Sequence, residues 1–240
     1  MIDFHTHILP CVDDGSHSIS ESVTLLRQEA KQGIDTVILT PHYYANERTP
    51  AEFLQRRNTA WNQLRPYLWP ELPHILLGAE VQYFEGICSV DDILRLRIEN
   101  TKYLLLEMPF STWPDRIVED VITLNENPDM TVVLAHIERY LEKQDKDVWD
   151  YLRKCGVLMQ SNVSFFDNWK TRHKAMSMLT KEKIHFLGSD CHNKTSRCPN
   201  WNRLPDKARD LVQKGQAYQE FKNAISYAPL EDSDWETLLL

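Results

Sequence analysis

The sequence predicts an α/β fold built as one barrel-like domain, and three observations carry that prediction. Seven short apolar runs rich in β-branched residues alternate with helical patterns along the 240 residues, as in parallel strand–helix units. Six of the seven runs end in His, Asp or Glu. Only a closed ring of strands brings so many strand ends to one mouth, so a closed barrel is favoured over an open sheet.

The N-terminal segment is the first predicted strand and carries the first candidate metal ligands. Residues 1–8 alternate in polarity, so His5 and His7, two positions apart, face the same side. Asp13, Asp14 and Gly15 follow where the strand opens into a loop. Imidazole nitrogens and carboxylate oxygens at a strand end suit Zn²⁺, Mn²⁺ or Fe²⁺. Taken alone, the His-x-His pair is equally compatible with a structural role.

The other predicted strands cover residues 36–40, 75–80, 103–109, 131–136, 157–162 and 184–192. A carboxylate at the end of a buried run needs a partner or a metal to remain ionised. The strand 157–162 ends in Gln, Ser and Asn, which indicates pocket lining without a ligand. The remaining strands complete a set of candidate metal ligands sufficient for two or three ions: His5, His7, Asp14, His42, Glu80, Glu107, His136, Asp190 and His192.

Helical patterns separate these strands and set the predicted domain limits. Helices are predicted at 18–33, with Ser18 in a capping-box position, and at 50–65, 113–124, around 148–152, 201–214 and 217–228. The domain is therefore predicted to span residues 1–228. Residues 229–240 form an acidic tail that is either disordered or docks on a partner. Four histidines are assigned to structural or solvated positions: His17, His74, His173 and His185.

Composition excludes several classes of function. A formal charge of −8 and a pI near 5.6 argue against a broad nucleic-acid or anionic-membrane surface. No apolar run approaches the roughly 20 residues of a spanning helix, and the strand begins too early for a signal peptide. Five unpaired cysteines fit reduced thiols. We expect a cytoplasmic protein that does not insert into a membrane, and the sequence does not decide whether it forms a homo-oligomer.

Six motifs in order resemble the polymerase-and-histidinol-phosphatase (PHP) superfamily. Within it, they are similar to the bacterial manganese-dependent tyrosine-protein phosphatases encoded with capsule and exopolysaccharide genes. The resemblance spans residues 1 to about 228 and implies a distorted (β/α)₇ TIM-like barrel with a trinuclear site. The motifs are His5-x-His7, Asp13-Asp14-Gly15, Thr40-Pro41-His42, Gly78-Ala79-Glu80, Ala135-His136-Ile137-Glu138-Arg139-Tyr140 and Ser189-Asp190-x-His192-Asn193.

The resemblance also implies roles for these residues, with two or three Mn²⁺ ions, or Fe or Zn, as cofactors. The implied ligand sets are His5, His7, Glu80 and Asp190 for one ion, Glu80, Glu107 and His136 for a second, and Asp14, His42 and His192 for a third. Arg139 would hold the substrate phosphate, and Arg197 is a second phosphate contact in a loop that departs from the expected Gly-Arg-Pro. Cys11 stands where glycine is usual, which leaves the shape of that turn open.

The implied reaction is hydrolysis of phosphotyrosine on a protein, with the tyrosine-rich tail of a capsule-assembly kinase as the substrate. Metals lower the pKa of bound water from about 15.7 toward about 7 and so supply a hydroxide. Arg139 offers a fixed fork of donors to the phosphoryl group. A phenolate leaves with a pKa of about 10 and needs little protonation; His42 is the predicted general acid, if one acts.

Three alternatives stay open at this point. A histidinol-phosphate or other small-molecule phosphatase would use the same metals on an alkyl ester. A non-catalytic PHP module would bind partners, although such modules commonly lose ligands. Cys191 and Arg197 also match Cys-x₅-Arg, the signature of cysteine-dependent tyrosine phosphatases. That loop has no glycine, and strand alternation turns Cys191 away from Asp190 and His192, so the metal mechanism is favoured.

Overall fold

The strands of the computed structural model, which describes residues 1–226, all run parallel. Within this part of the chain the strands are β1 Ile2–Thr6, β2 Thr36–Leu39, β3 His42–Tyr43, β4 His74–Leu77, β5 Glu80–Gln82, β6 Tyr103–Glu107, β7 Thr131–Leu134, β8 Leu158–Asn162 and β9 Phe186–Gly188. The helices are α1 Ile19–Lys31, α2 Pro50–Leu64, α3 Asp115–Asn125, α4 Lys146–Lys154, α5 Ser164–Asp167, α6 Arg172–Thr180, α7 Asp206–Lys214 and α8 Gln216–Ser226.

Hydrogen bonds order these strands as β1-β2-β4 and β3-β5-β6-β7-β8-β9. The two sets are continuous, because the predicted strand 75–80 breaks at Gly78 and Ala79 into β4 and β5, and Pro41 separates β2 from β3. The Gly78 amide still donates to the Leu39 carbonyl at 2.8 Å, and the Glu80 amide donates to that of Pro41 at 3.0 Å. Two of the predicted strands thus each bend at a break without leaving the sheet.

The first strand also contacts the segment that follows the last one. Thr6 pairs in parallel with Cys191, and the Asp190 amide donates to the His5 carbonyl at 2.9 Å. Gly188 permits this approach, since a Cβ at that position would lie 2.6 Å from the Cβ of His5. The predicted α/β fold of parallel strand–helix units is confirmed, and the parallel sheet is curled.

Aromatic side chains form the core at one end of the curled sheet. The ring of Phe4 from β1 stacks on Phe186 from β9 at 4.1 Å between centroids, and Phe221 from α8 packs edge-on against both. The ring of Tyr103 from β6 packs edge-on against Phe186, with centroids 5.9 Å apart. Because two strands separate β6 from β9 in the hydrogen-bonded order, this contact crosses the interior of the curl.

Each predicted helix range overlaps an observed helix, and one of these ranges is wrong as a single element. Ser18 caps α1 as predicted, accepting from the Glu21 amide at 3.2 Å. The predicted helix 201–214 is wrong as a single element: a short 3₁₀ turn covers Trp201–Arg203 and α7 begins only at Asp206, because the residue before a proline is disfavoured in the helical region. The predictions missed the bounds of α5 and α6.

The predicted limit of the domain at residue 228 and the predicted tail 229–240 lie outside the described residues, so both stay predictions. Within residues 1–226, no helix combines the length and apolar character required to cross a membrane.

Candidate metal centre

The nine predicted ligands converge at the carboxyl ends of the strands, with Glu80 in the middle. Its Oε2 lies 3.1 Å from Nε2 of His5, 3.2 Å from Nε2 of His7 and 3.0 Å from Nδ1 of His42. Its Oε1 lies 2.8 Å from Nε2 of His136. Parallel strands bring their carboxyl ends to one edge, which is where α/β proteins bind ligands. One buried carboxylate therefore touches four imidazoles from three strand ends.

The first group of ligand atoms combines β1 with the segment after β9. The Nε2 atoms of His5 and His7 are 3.1 Å apart, so the two side chains face together as predicted. Oδ1 of Asp190 lies 3.8 Å from the first nitrogen and 3.5 Å from the second. All three donor atoms lie within 4.8 Å of one another, a separation that one cation can bridge.

Two further groups adjoin the first. Oδ1 of Asp14 lies 3.6 Å from Nε2 of His42 and 3.5 Å from Nε2 of His192, and His7 falls within the same 4.8 Å group. On the other side of Glu80, Oε1 of Glu107 lies 3.4 Å from Nε2 of His136. The structure also groups His42 with Glu80 and Glu107, so His7 and His42 each belong to two of the three groups.

Two observations show that this cluster fits divalent cations. Nδ1 of His42 and Nε2 of His192 are buried and form no hydrogen bond of acceptable geometry within residues 1–226, although carboxylate oxygens lie 3.0 Å and 3.5 Å away and buried polar atoms are normally satisfied. The donor atoms are imidazole nitrogens and carboxylate oxygens, a mixture suited to Mn²⁺, Fe²⁺ or Zn²⁺. A bound cation would satisfy these two nitrogens and neutralise the buried carboxylates.

The electrostatics of the cluster lead to the same conclusion. Burial raises the pKa of Glu80, but the neighbouring imidazoles, first His5, outweigh it and hold that pKa well below its usual range. Burial opposes protonation of His136, yet Glu107 and Glu80 raise its pKa to about 9. Glu80 thus favours its ionised form and His136 its protonated form, and a bound metal would replace that proton.

Asp13 supports the cluster without belonging to the predicted ligand set. Its Oδ2 accepts from Nδ1 of His7 at 2.7 Å and from the His42 amide at 3.0 Å, while Oδ1 accepts from the Gly15 amide at 3.0 Å. Such a partner fixes the tautomer and orientation of a metal-binding imidazole. Sequence reasoning quoted this residue in a motif but gave it no role; its position beside Asp14 was the available signal.

The polar end of β8 supports the cluster from another side. Oε1 of Gln160 accepts from the His136 amide at 2.6 Å, and Nδ2 of Asn162 donates to Oδ2 of Asp190 at 2.9 Å. Glu138 in turn accepts from the Asn162 amide at 3.1 Å. The predicted pocket-lining character of this strand end matches these contacts.

Known proteins resemble this chain over most of its length. A family model described as capsular polysaccharide synthesis, CpsB/CapC, matches residues 1–227. The chain belongs to the CpsB/CapC family. It is 34% identical to the tyrosine-protein phosphatase YwqE of Bacillus subtilis (strain 168), over 98% of this chain and 90% of that protein. It is 30% identical to the tyrosine-protein phosphatase CpsB of Streptococcus pneumoniae, over 89% and 90%.

The fold of a solved relative is also similar. This chain superimposes with a TM-score of 0.73 on a chain from the crystal structures of YwqE from Bacillus subtilis and CpsB from Streptococcus pneumoniae, which are described as unique metal-dependent tyrosine phosphatases. The two chains are 25% identical in sequence, and the match covers 94% of this chain and 93% of that chain.

Two arginines of this CpsB/CapC chain border the cluster. Nη2 of Arg139 donates to Oδ2 of Asp190 at 2.5 Å, and Nη2 of Arg197 donates to Oδ1 of the same residue at 2.9 Å. Their side chains are 35% and 40% exposed. Both predicted phosphate contacts therefore reach the cluster while keeping surface open to a ligand.

Left-handed backbone occurs at two of the clustered residues. His136 has φ of 30° and Asp190 has φ of 53°, conformations that cost of order 1–3 kcal/mol in non-glycine residues and concentrate at functional sites. Cys11 adopts φ of 60° at the position where the resemblance led us to expect glycine. The turn thus keeps a glycine-like conformation despite the cysteine.

Cys191 does not face the cluster. Its side chain is fully buried and its Sγ lies 3.8 Å from Oε1 of Glu29. Burial, together with the nearby Glu29, raises the pKa of the thiol well above its usual value. A protonated sulfur that contacts Glu29 cannot attack a phosphate held at the cluster, so the geometry disfavours the Cys-x₅-Arg interpretation.

Proposed function

We propose that this CpsB/CapC chain is a metal-dependent phosphomonoesterase that hydrolyses phosphotyrosine on proteins and thereby regulates capsular or exopolysaccharide synthesis. The observation that carries the proposal is the convergence of the nine predicted ligands, with Glu80 at their centre and Arg139 and Arg197 at the edge. Relatives that match most of the chain are named tyrosine-protein phosphatases.

We further propose that the curled sheet is a closed, distorted (β/α)₇ barrel of the PHP type. The pairing of Thr6 with Cys191 supports closure, as does the contact of Tyr103 with Phe186 across the interior. If β2 with β3 and β4 with β5 each count as one bent strand, seven strands form the ring. A ring of this kind explains why all the ligands share one mouth.

The nine predicted ligands would hold two or three ions, and we propose Mn²⁺. When bound, the ions would lower the pKa of water and neutralise phosphate oxygens. Arg139 and Arg197 would orient the phosphoryl group through bidentate donors. His42 offers both ring nitrogens to carboxylates, at 3.0 Å and 3.6 Å, which favours a ligand role; its function as the general acid stays a prediction.

The proposed substrate is the phosphorylated, tyrosine-rich tail of a capsule-assembly kinase, and the proposed compartment is the cytoplasm. The five cysteines are all free thiols, which is typical of proteins in a reducing compartment. Failure to dephosphorylate a phosphorylated kinase tail, with cleavage of small alkyl phosphates retained, would contradict the proposed substrate.

The experiment that tests the reaction is hydrolysis of a phosphotyrosyl peptide by three preparations. Chelator-stripped protein should be inactive, stripped protein with Mn²⁺ restored should recover, and the Cys191→Ser variant with Mn²⁺ should remain active. Serine keeps a donor toward Glu29, so the variant tests the sulfur and preserves the local contact. Activity that survives stripping and is lost with Cys191→Ser would overturn the metal mechanism.

A further inference from the structure

Phe110 places an exposed aromatic ring beside the metal cluster. Four large hydrophobic side chains among residues 1–226 are substantially exposed. Of these, only Phe110, 50% exposed, stacks against a residue of the cluster within the described part of the chain. Its ring is nearly parallel to His136, with centroids 6.2 Å apart and an interplanar angle of 17°. An apolar surface is thus available at the edge of an otherwise charged site.

The loop that carries Phe110 is held on both sides of it. The Met108 amide donates to the hydroxyl of Tyr140 at 3.2 Å, and Nε1 of Trp113 donates to the Pro109 carbonyl at 2.9 Å. The Trp113 amide also donates to Oε1 of Gln144 at 2.9 Å. The ring is therefore positioned by anchored neighbours while half of its own surface stays free, which is the arrangement of a preorganised contact.

A second aromatic ring lies on the other side of Glu80. Tyr44 stacks on His42 with centroids 5.1 Å apart and an interplanar angle of 21°. His42 contacts Oε2 of Glu80, and His136, on which the ring of Phe110 stacks, contacts Oε1 of Glu80. Aromatic surface therefore borders the cluster at both of these imidazoles.

We propose that Phe110 binds the phenyl ring of the phosphotyrosyl side chain and makes the site select aryl over alkyl phosphomonoesters. This inference rests on the proposed phosphatase function. A single ester oxygen joins phosphorus to the ring of an aryl phosphate, so a phosphate held by the cluster and Arg139 brings the ring to the border that Phe110 occupies. Offset stacking of two aromatic rings adds to the burial of apolar surface.

The test compares Phe110→Ala, Phe110→Trp and the Mn²⁺-loaded wild type on a phosphotyrosyl peptide and on the same peptide carrying phosphoserine. Phe110→Ala should raise KM for the phosphotyrosyl peptide about tenfold with kcat nearly unchanged, because the ring contact is equal in the ground and transition states. The phosphoserine reaction should change less than about twofold, and Phe110→Trp should restore the aryl KM. Tyr67→Ala, which removes another exposed aromatic ring, is the matched control.

A binding measurement separates recognition from turnover. Phenylphosphonate, which is inert, should bind the Phe110→Ala variant about tenfold more weakly than the wild type, whereas methylphosphonate should bind both equally. Equal losses for both ligands, or no loss for phenylphosphonate, would overturn the role of Phe110 while leaving the phosphatase function intact. A wild type that hydrolyses neither peptide with Mn²⁺ restored would overturn the proposed function and this inference with it.

Discussion

Substitution of Asp13 by Asn should weaken metal binding without removing a ligand. The carboxylate accepts three hydrogen bonds, at 2.7 Å from His7, 3.0 Å from the His42 amide and 3.0 Å from the Gly15 amide. An amide has only one oxygen, so one of these donors must face the NH₂ group, and the charged partner of His7 is lost. The loss of one charge-assisted hydrogen bond costs about 1.5–3 kcal/mol, which corresponds to roughly a 10–100-fold weaker affinity for Mn²⁺.

The assay for this prediction is competition of stripped protein with a fluorescent chelator for Mn²⁺. Asp92→Asn, which removes a carboxylate from an exposed ion pair with Arg95, should leave the affinity unchanged. Circular dichroism checks that both variants are folded. An Asp13→Asn protein that is folded and binds Mn²⁺ as tightly as the wild type would refute the reasoning that Asp13 orients His7.

Two further predictions concern stability. Burial, with a contribution from Arg153, lowers the pKa of His185 to about 4. Protonation therefore favours the unfolded chain as pH falls from about 6.5 to about 4, and the free energy of unfolding should drop by about 3 kcal/mol over this interval. In chemical denaturation, His185→Asn, which keeps an acceptor for the Met159 amide, should lose less stability than the wild type over the same range; identical pH slopes would contradict the prediction. Phe221→Ala should lower the free energy of unfolding by about 3–5 kcal/mol, because the ring is fully buried against Phe4 and Phe186; a loss below about 1 kcal/mol in urea titration would contradict this.

The sequence was sufficient to predict which residues would meet, because parallel strands impose a simple rule. His5 and His7 share a face through the two-residue period of a strand, and the other ligands follow runs whose carboxyl ends share one edge. What the residues alone could not give is the division of these ligands among ions. That division depends on side-chain directions, and the structure puts His7 and His42 in two groups each.

Other features depended on tertiary contacts that no local pattern encodes. The break at Gly78 divides an apolar run that reads as one strand, and the left-handed backbone at His136 and Asp190 has no signal in side-chain polarity. Phe110 follows a predicted strand and looks like an ordinary apolar loop residue. Its relation to His136 appears only when the loop is folded onto the mouth of the sheet.

The two ends of the curled sheet contribute differently to the free energy of folding: apolar packing at one end stabilises the fold, and buried polar groups at the other end cost free energy. The packed rings of Phe4, Phe186 and Phe221 supply apolar burial at one end. At the other end, buried carboxylates and left-handed residues each cost free energy. Because those costs fall on groups that a cation would stabilise, the polar end is arranged for binding, and apolar burial elsewhere in the core offsets them.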